Sequence, residues 1–185
     1  NVFVAEEWGQ RLLKLSPIGD ALWTKGMPGK GTFDLPDPNL ISSPTALALD
    51  PSGKLLAVVQ SGWSISLYDA ATGNYLRTIS RDEDHYRFDY AQGITYDRSG
   101  NLYISDRNAQ IVNVYNKSGI FVRQIGVRYE RSADNQHFNN PTGLATDSSG
   151  NLFVADHDNC RVQKFDKYGR FVMTFGTARC GRQYD

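Results

Sequence analysis

Cysteine is scarce in this chain: two in 185 residues, Cys160 and Cys180. Two cysteines cannot define a disulfide-framework domain, and their separation matches no metal-ligand spacing. Net charge is also absent, because 20 Lys and Arg balance 20 Asp and Glu. A general polyanion binder needs clustered cations that release condensed counterions, so no nucleic acid partner is expected. No apolar run approaches the ~20 residues that span a bilayer, and no membrane span is expected. Asn1 leads directly into Val2-Phe3-Val4 without a charged, signal-like segment, so any targeting peptide is expected to be gone already. The chain lacks a Gly-x-Ser-x-Gly elbow, a phosphate loop, a His-Glu-x-x-His motif and paired carboxylates at catalytic spacing. At 40% hydrophobic and 22% charged residues, the composition is that of a globular domain with one buried core, not a disordered tail, collagen or coiled coil.

What the chain does have is repetition. Residues 88–126 and 138–176 align without a gap at an offset of 50, pairing Asn101 with Asn151. Phe88/Phe138, Gly93/Gly143, Asp97/Asp147, Ser99-Gly100/Ser149-Gly150, Asp106/Asp156 and Gly126/Gly176 are among the identities. A weaker copy opens at Pro44-Thr45-Ala46-Leu47-Ala48-Leu49-Asp50 and requires a one-residue insertion near Ala70-Ala71. The first 26 residues align without a gap on Asn151 to Gly176, so the first copy lacks its leading segment.

Within a copy, short segments rich in β-branched and aromatic residues (Leu144–Thr146, Leu152–Ala155, Val162–Phe165, Phe171–Phe175) alternate with turn clusters such as Asp147-Ser-Ser-Gly150. The pattern predicts four strands per copy, with glycines where reversals want positive φ and Asp side chains accepting backbone hydrogen bonds at the turn starts. No segment sustains a 3.6-residue period, so helix should be nearly absent. A four-stranded antiparallel unit of this size cannot bury both faces alone, and radial stacking of such units makes a β-propeller. The predicted architecture is all-β: a propeller segment over 1–185 with blades at 1–26, 44–80, 88–126 and 138–176. Fifteen strands are expected, the first blade lacking its innermost, and the segment belongs either to a larger propeller or to an assembly of copies.

The run Phe138-x-x-Pro141-x-Gly143-Leu-Ala-x-Asp147-x-x-Gly150-Asn-Leu-Phe-Val-Ala-Asp156-x-x-Asn159-x-Arg161-Val-Gln-x-Phe165 closely resembles the NHL repeat. Residues 88–115 fit that pattern well. Glu6 and Arg11 stand where the motif has Asp and Arg, and the second blade lacks both. The resemblance implies a propeller fold. Recurrence of the Asp and Arg pair (Asp156 with Arg161, Glu6 with Arg11) argues for a structural brace, since a single active site needs its residues once.

Labelling strands A to D from the inside outward, the A-B and C-D turns are short and repetitive, whereas variation gathers on the B-C and D-A connections. Loops that differ on a constant scaffold are where binding usually lives. Trp8, Trp63, Tyr86 and Tyr129, with Tyr90, fall on that side and are the candidate binding residues, for a protein partner, neighbouring copies of the chain, or a glycan. Packing over the loops is the competing reading of these aromatics. His85, His137 and His157 lie on the same side. The peptidyl-hydroxyglycine lyases that carry this repeat place zinc-binding histidines directly after the Pro of Phe-x-x-Pro, where this chain has Thr45, Gln92 and Thr142. RNA-binding relatives use a basic face, and none is evident. The chain is therefore read as a non-catalytic protein-interaction or structural-assembly module, with no catalytic residue, metal site or cofactor assigned. A metal-dependent lyase or hydrolase and a carbohydrate-binding propeller are the alternatives. Cys160 and Cys180 sit on one side of the last blade and are expected to pair. Asn116-Lys117-Ser118 is a glycosylation sequon in an exposed C-D turn. Together these two features point to an extracellular or secreted protein.

Overall fold

The computed structural model describes residues 1–26, 41–79 and 88–176, which form two compact units, one from Asn1 to Phe88 and one from Asp89 onward. All regular structure among the described residues is strand, apart from one 3-10 turn at His157–Asn159. In the first unit, β1 (Val2–Glu6), β2 (Arg11–Leu15) and β3 (Ala21–Lys25) make a three-stranded antiparallel sheet, followed by a four-stranded one of β4 (Pro44–Leu49), β5 (Leu55–Gln60), β6 (Ser64–Asp69) and β7 (Tyr75–Ile79). In the second unit, β8 (Ala91–Tyr96), β9 (Leu102–Asp106), β10 (Ile111–Tyr115) and β11 (Phe121–Ile125) make one sheet. The other comprises β12 (Pro141–Thr146), β13 (Leu152–Asp156), β14 (Arg161–Phe165) and β15 (Phe171–Gly176). Every strand pairs with its sequence neighbour, as the repeat predicts, and the fifteen expected strands are present.

Turn chemistry explains the regularity. At each A-B reversal an Asp caps its own turn: Asp97 Oδ1 accepts from the backbone N–H of Ser99 and Asn101, both at 2.9 Å, and Asp147 repeats this with Ser149 and Asn151. The side-chain amide of Asn151, together with these backbone hydrogen bonds, holds the Asp147 carboxyl below its usual range. In the second blade Asp50 accepts from Leu55, five residues on, so that turn is one residue longer than its counterparts. Its B-C turn is one residue shorter, and Asp69 closes a longer C-D turn through Ala71 and Thr72. The insertion expected near Ala70-Ala71 is thus one of three small length changes, two of which cancel.

Adjacent sheets bury one recurring cluster. In the second unit, Tyr103, Val112, Val114 and Ile125 of the third blade meet Phe138, Leu152, Val154 and Phe165 of the fourth, with Leu144 and Phe171 alongside. In the first unit, Phe3, Ala5, Leu12 and Trp23 meet Ile41, Leu56, Val58 and Tyr68, with Leu47 and Tyr75. The second- and fourth-blade halves of the two clusters correspond residue by residue, and the first- and third-blade halves share the positions of Phe3/Tyr103 and Leu12/Val112. Cations lace both from the same side: Lys14 Nζ donates to Ala70 O at 2.9 Å, and Arg123 Nη2 to Lys167 O at 2.9 Å, both carbonyls lying in the next blade's C-D turn.

The segment opening each A strand, Pro44-x-Ala46, Ala91-x-Gly93 or Pro141-x-Gly143, carries a register shift, at Pro44/Ala46, Ala91/Ile94 and Pro141/Leu144. Proline suits the first residue of a strand because it has no N–H to offer the ladder. The glycine has unequal importance in the two closest copies. A Cβ on Gly93 would lie 2.0 Å from the carbonyl oxygen of Thr142, whereas on Gly143 it would meet only the Ala155 Cβ, at 3.8 Å. Ser105 accounts for the tight approach, accepting from Gly93 N–H at 2.8 Å and donating to Thr142 O at 2.6 Å. Gly93→Ala should therefore destabilise by about 2 kcal/mol or more, in the range of overpacked sites. Gly143→Ala should change stability by less than about 1 kcal/mol. Urea unfolding midpoints of the two variants measure the difference, and equal effects would contradict the close approach.

Candidate interaction rim

The variable side of each blade is built on one position, the last residue of the B strand. In the fourth blade it is Asp156, fully buried. Its Oδ1 accepts the backbone N–H of Asn139 at 2.6 Å, and its Oδ2 accepts from Arg161 Nε at 2.7 Å, Asn159 Nδ2 at 2.9 Å and Gln163 Nε2 at 3.1 Å. In the third blade Asp106 accepts from Asp89 N–H (2.9 Å), Tyr90 N–H (3.0 Å) and Ala109 N–H (3.1 Å). In the second blade Gln60 takes the role, its Oε1 accepting from Ser42 N–H at 2.9 Å while its amide donates to Ser66 and Tyr68. Burial pushes the Tyr68 phenol up to about 12, so it stays a neutral partner there. In each of these blades one acceptor at the strand end holds the chain just as it enters the A strand.

Arg161 makes the fourth blade's version the most elaborate. Beyond Asp156 it donates from Nη1 to Ala133 O and from Nη2 to Asp134 O, both at 2.5 Å, and from Nη2 to His137 O at 3.2 Å. A guanidinium has five donors in a fixed fork and here four contacts use them, which ties the D-A connection over 133–137 to the B-C end of the blade. Glu6 and Arg11 repeat the pair in the first blade at 2.5 Å, but at a half-exposed site. Both pairs act as braces.

Above this frame lie the predicted site residues. Trp8 is 94% exposed and Trp63 52%, in the B-C turns of the first and second blades. Tyr129 is 59% exposed and held from several directions. Its backbone adopts φ 63°, its N–H donates to Ala109 O at 2.9 Å, and Arg128 stacks on its ring, with Cζ 4.7 Å from the centroid, while donating to its hydroxyl. A hydrogen bond to Asp89 and partial burial raise the Tyr129 pKa. Tyr90 is also exposed. Tyr86, His85 and Cys180 lie outside the described residues. The aromatics of the rim among the described residues face solvent and do not pack beneath their loops.

The two described histidines are each paired with carboxylates. His137 Nδ1 lies 2.8 Å from both Asp134 oxygens, and its Nε2 is 3.3 Å from Glu130 Oε2. Its pKa is raised chiefly by the hydrogen bond to Asp134, and that same bond holds the Asp134 carboxyl down at about 2. His157 Nδ1 lies 2.6 Å from Asp158 Oδ1, and Asn140 Nδ2 donates to Asp158 Oδ2. Among the described residues no group of three or more His, Cys, Asp or Glu side chains is disposed to hold a metal ion.

Cys160 takes a left-handed conformation, φ 51°, at the position that Gln10 and Gln110 occupy in their blades with φ 48° and 64°. Asn116 is the C-D turn cap of the third blade, its Oδ1 accepting from Ser118 and Ile120 N–H at 3.0 Å, as Asp166 does in the fourth. The sequon thus overlaps a position where the turn itself wants Asn or Asp. Gln60 and Gln110 escaped the sequence reading. Gln110 binds Asn140 through both ends of its amide, Oε1 accepting from Asn140 N–H at 2.7 Å. The available signal was chemical: Gln60 stands in the column of Asp106 and Asp156, and all three present a carbonyl-type oxygen.

Asp156→Ala leaves the buried Arg161 uncompensated and should cost about 3 kcal/mol or more in chemical unfolding, whereas Glu6→Ala at the half-exposed pair should shift the midpoint far less. For His137 the folded-state pKa lies above the unfolded one. Its contribution to stability is therefore complete below the unfolded value of about 6.5 and is lost as pH rises through the raised folded value. The His137 Cε1–H proton resonance should titrate with a midpoint above that of His in peptides, and Asp134→Asn should return it downward. An unshifted midpoint would contradict the pairing.

The NHL repeat family matches residues 138–165. No curated protein matches the chain. Among solved structures, a structure of U3-55K and a crystal structure of the RRP9 WD40 repeats are similar, each at TM-score 0.70 and 19% identity over 94% of this chain. The chain spans about half the length of these structures, covering 47% of each. At that identity the likeness is one of fold. The chain is an all-β protein of antiparallel blades resembling β-propeller repeats, and it carries an NHL repeat at residues 138–165.

Proposed function

We propose that this chain is a non-catalytic protein-interaction module whose partner docks on the B-C and D-A rim. The observation that carries the reading is the exposure of Trp8 and Trp63 in the B-C turns of the first unit, where the strand-end side chain of Gln60 fixes the neighbouring chain through Ser42. Large aromatics presented from a rigid base contribute contact area at low conformational cost, as interface anchors do. Loop sequences that differ between copies of one scaffold supply the specificity.

The module works outside the cell. Pairing of Cys160 with Cys180 would staple the fourth blade and calls for an oxidising compartment, and the sequon at Asn116 sits in a surface turn. Mass spectrometry of alkylated peptides, before and after reduction, tests this: a linked Cys160–Cys180 peptide is expected, and free thiols at both positions would overturn it.

The exposed indoles favour one second reading, a sugar-binding rim, since indole faces stack on pyranose rings. The readings separate on one pair of variants. Trp8→Ala and Trp63→Ala should abolish binding of a protein ligand isolated from the extracellular fraction while leaving the thermal midpoint unchanged. Unaltered binding would exclude this rim. A shift of wild-type tryptophan fluorescence on adding free oligosaccharides, with no protein ligand, would favour the sugar.

A further inference from the structure

A single imidazole closes the connection that leads into the fourth blade. His137 Nδ1 lies 2.8 Å from both oxygens of Asp134, and its Nε2 lies 3.3 Å from Glu130 Oε2. The two carboxylates are held unequally. Asp134 is fixed without the ring, since its Oδ1 accepts the backbone N–H of Gln136 at 2.8 Å and of His137 at 3.2 Å, and its carbonyl accepts from Arg161. The Glu130 side chain is 67% exposed and has no partner but His137 among the described residues.

The remaining charges around the connection are spent elsewhere. Arg161, from β14, donates to the His137 carbonyl, and Asp156 at the end of β13 answers its charge at 2.7 Å. Arg128 lies 3.7 Å from Asp89, and Arg131 is exposed. Gln163 and Asn159, which also fasten this connection through the carbonyls of His137 and Ser132, are neutral. The ring itself therefore meets two carboxylates, an arrangement that favours its charged form.

We infer that His137 is a proton-operated latch: doubly protonated, it clasps Asp134 and Glu130 together, and loss of its Nε2 proton to water releases Glu130 while the bond to Asp134 stays. A neutral imidazole keeps one N–H, and the surroundings decide which. Removing the Nδ1 proton would leave a lone pair facing both Asp134 oxygens, which the loop backbone holds in place. Removing the Nε2 proton leaves one facing Glu130, which is free to turn into water. The neutral ring is therefore the Nδ1–H tautomer. Glu130 adjoins Tyr129, whose φ of 63° is held by its N–H to Ala109 O, and Glu130 N–H donates to Val127 O at 3.2 Å. Release thus loosens residues 127–130, exposed Tyr129 among them, while Arg161 keeps 133–137 fastened. Because the His137 pKa is raised, the latch is shut below about 6.5 and opens as pH rises through the folded-state value. The latch governs how firmly the second unit presents Tyr129, and it depends on neither Trp8 nor Trp63.

Nuclear magnetic resonance of the 185-residue chain, from about pH 5.5 to about pH 9, tests it. Above the His137 midpoint, long-range nitrogen–proton correlations of its ring should report the Nδ1–H tautomer. Across the same midpoint, protection of the Tyr129 and Glu130 amides against exchange should fall about two- to fivefold, whereas that of the Gln136 and His137 amides, bound to Asp134, should hold. Glu130→Ala, at an exposed position and checked for unchanged circular dichroism, should show the lower protection already at acidic pH. An Nε2–H tautomer in the alkaline form, protection of Tyr129 and Glu130 that ignores pH, or a Glu130→Ala variant that keeps the pH-dependent step would each overturn the inference. Trp8→Ala and Trp63→Ala should leave every one of these readings unchanged, so failure of the latch and failure of the docking rim are separate results.

Discussion

A buried acceptor at the end of the B strand is the interaction on which the described part of this protein depends. Asp156, Asp106 and Gln60 each take a backbone N–H from the segment about to enter the A strand. Those amides would otherwise go unpaired, at a cost of about 1–3 kcal/mol each where they are buried. One side chain removes that cost and sets where the A strand begins. The register shift after Pro44 or Pro141, the entry of the cluster residues Ile41 or Phe138, and the placement of the rim loops all follow from that point.

The clip varies with what surrounds it. Asp106 is satisfied by three backbone N–H groups and faces Ile111 across the turn. Asp156 accepts only one backbone N–H and draws on the side chains of Asn159, Arg161 and Gln163. A buried carboxylate needs its oxygens covered by donors, and the two blades meet that requirement by different routes. The Arg161 route has a structural consequence, since the same guanidinium fastens Ala133, Asp134 and His137 and so holds the connection that leads into the fourth blade.

Much of this was legible in the sequence, because the information is local. Strand number, the A-B turns of Asp97 and Asp147, and the Asp156–Arg161 pair follow from short spacings repeated at a fixed offset. The insertion near Ala70-Ala71 was legible, whereas the longer A-B turn and shorter B-C turn of the second blade were not, since their effects on length cancel. Gln60 was hidden because an amide replaces a carboxylate, and matching by identity overlooks matching by acceptor. The contacts of Arg161 with carbonyls 24 to 28 residues away were unreadable, because backbone acceptors leave no trace in side-chain identity. The solvent exposure of Trp8 and Trp63 was equally undecidable from the sequence, since an aromatic in a short loop can fold inward as readily as outward.

The uneven value of equivalent glycines carries the same lesson at the level of packing. Gly93 and Gly143 share a motif position, yet only Gly93 faces a carbonyl across a gap too small for a Cβ. A repeat specifies the frame, and the neighbours of each copy decide which of its residues are indispensable.

The most direct test of the clip is native-state amide hydrogen exchange. The N–H groups of Ser42, Asp89 and Asn139, though outside any strand ladder, should be protected to the same degree as those of the adjoining strands, and Asp156→Ala should expose Asn139 selectively. Exchange of Asn139 in the wild type at the rate of an open turn amide would contradict the account.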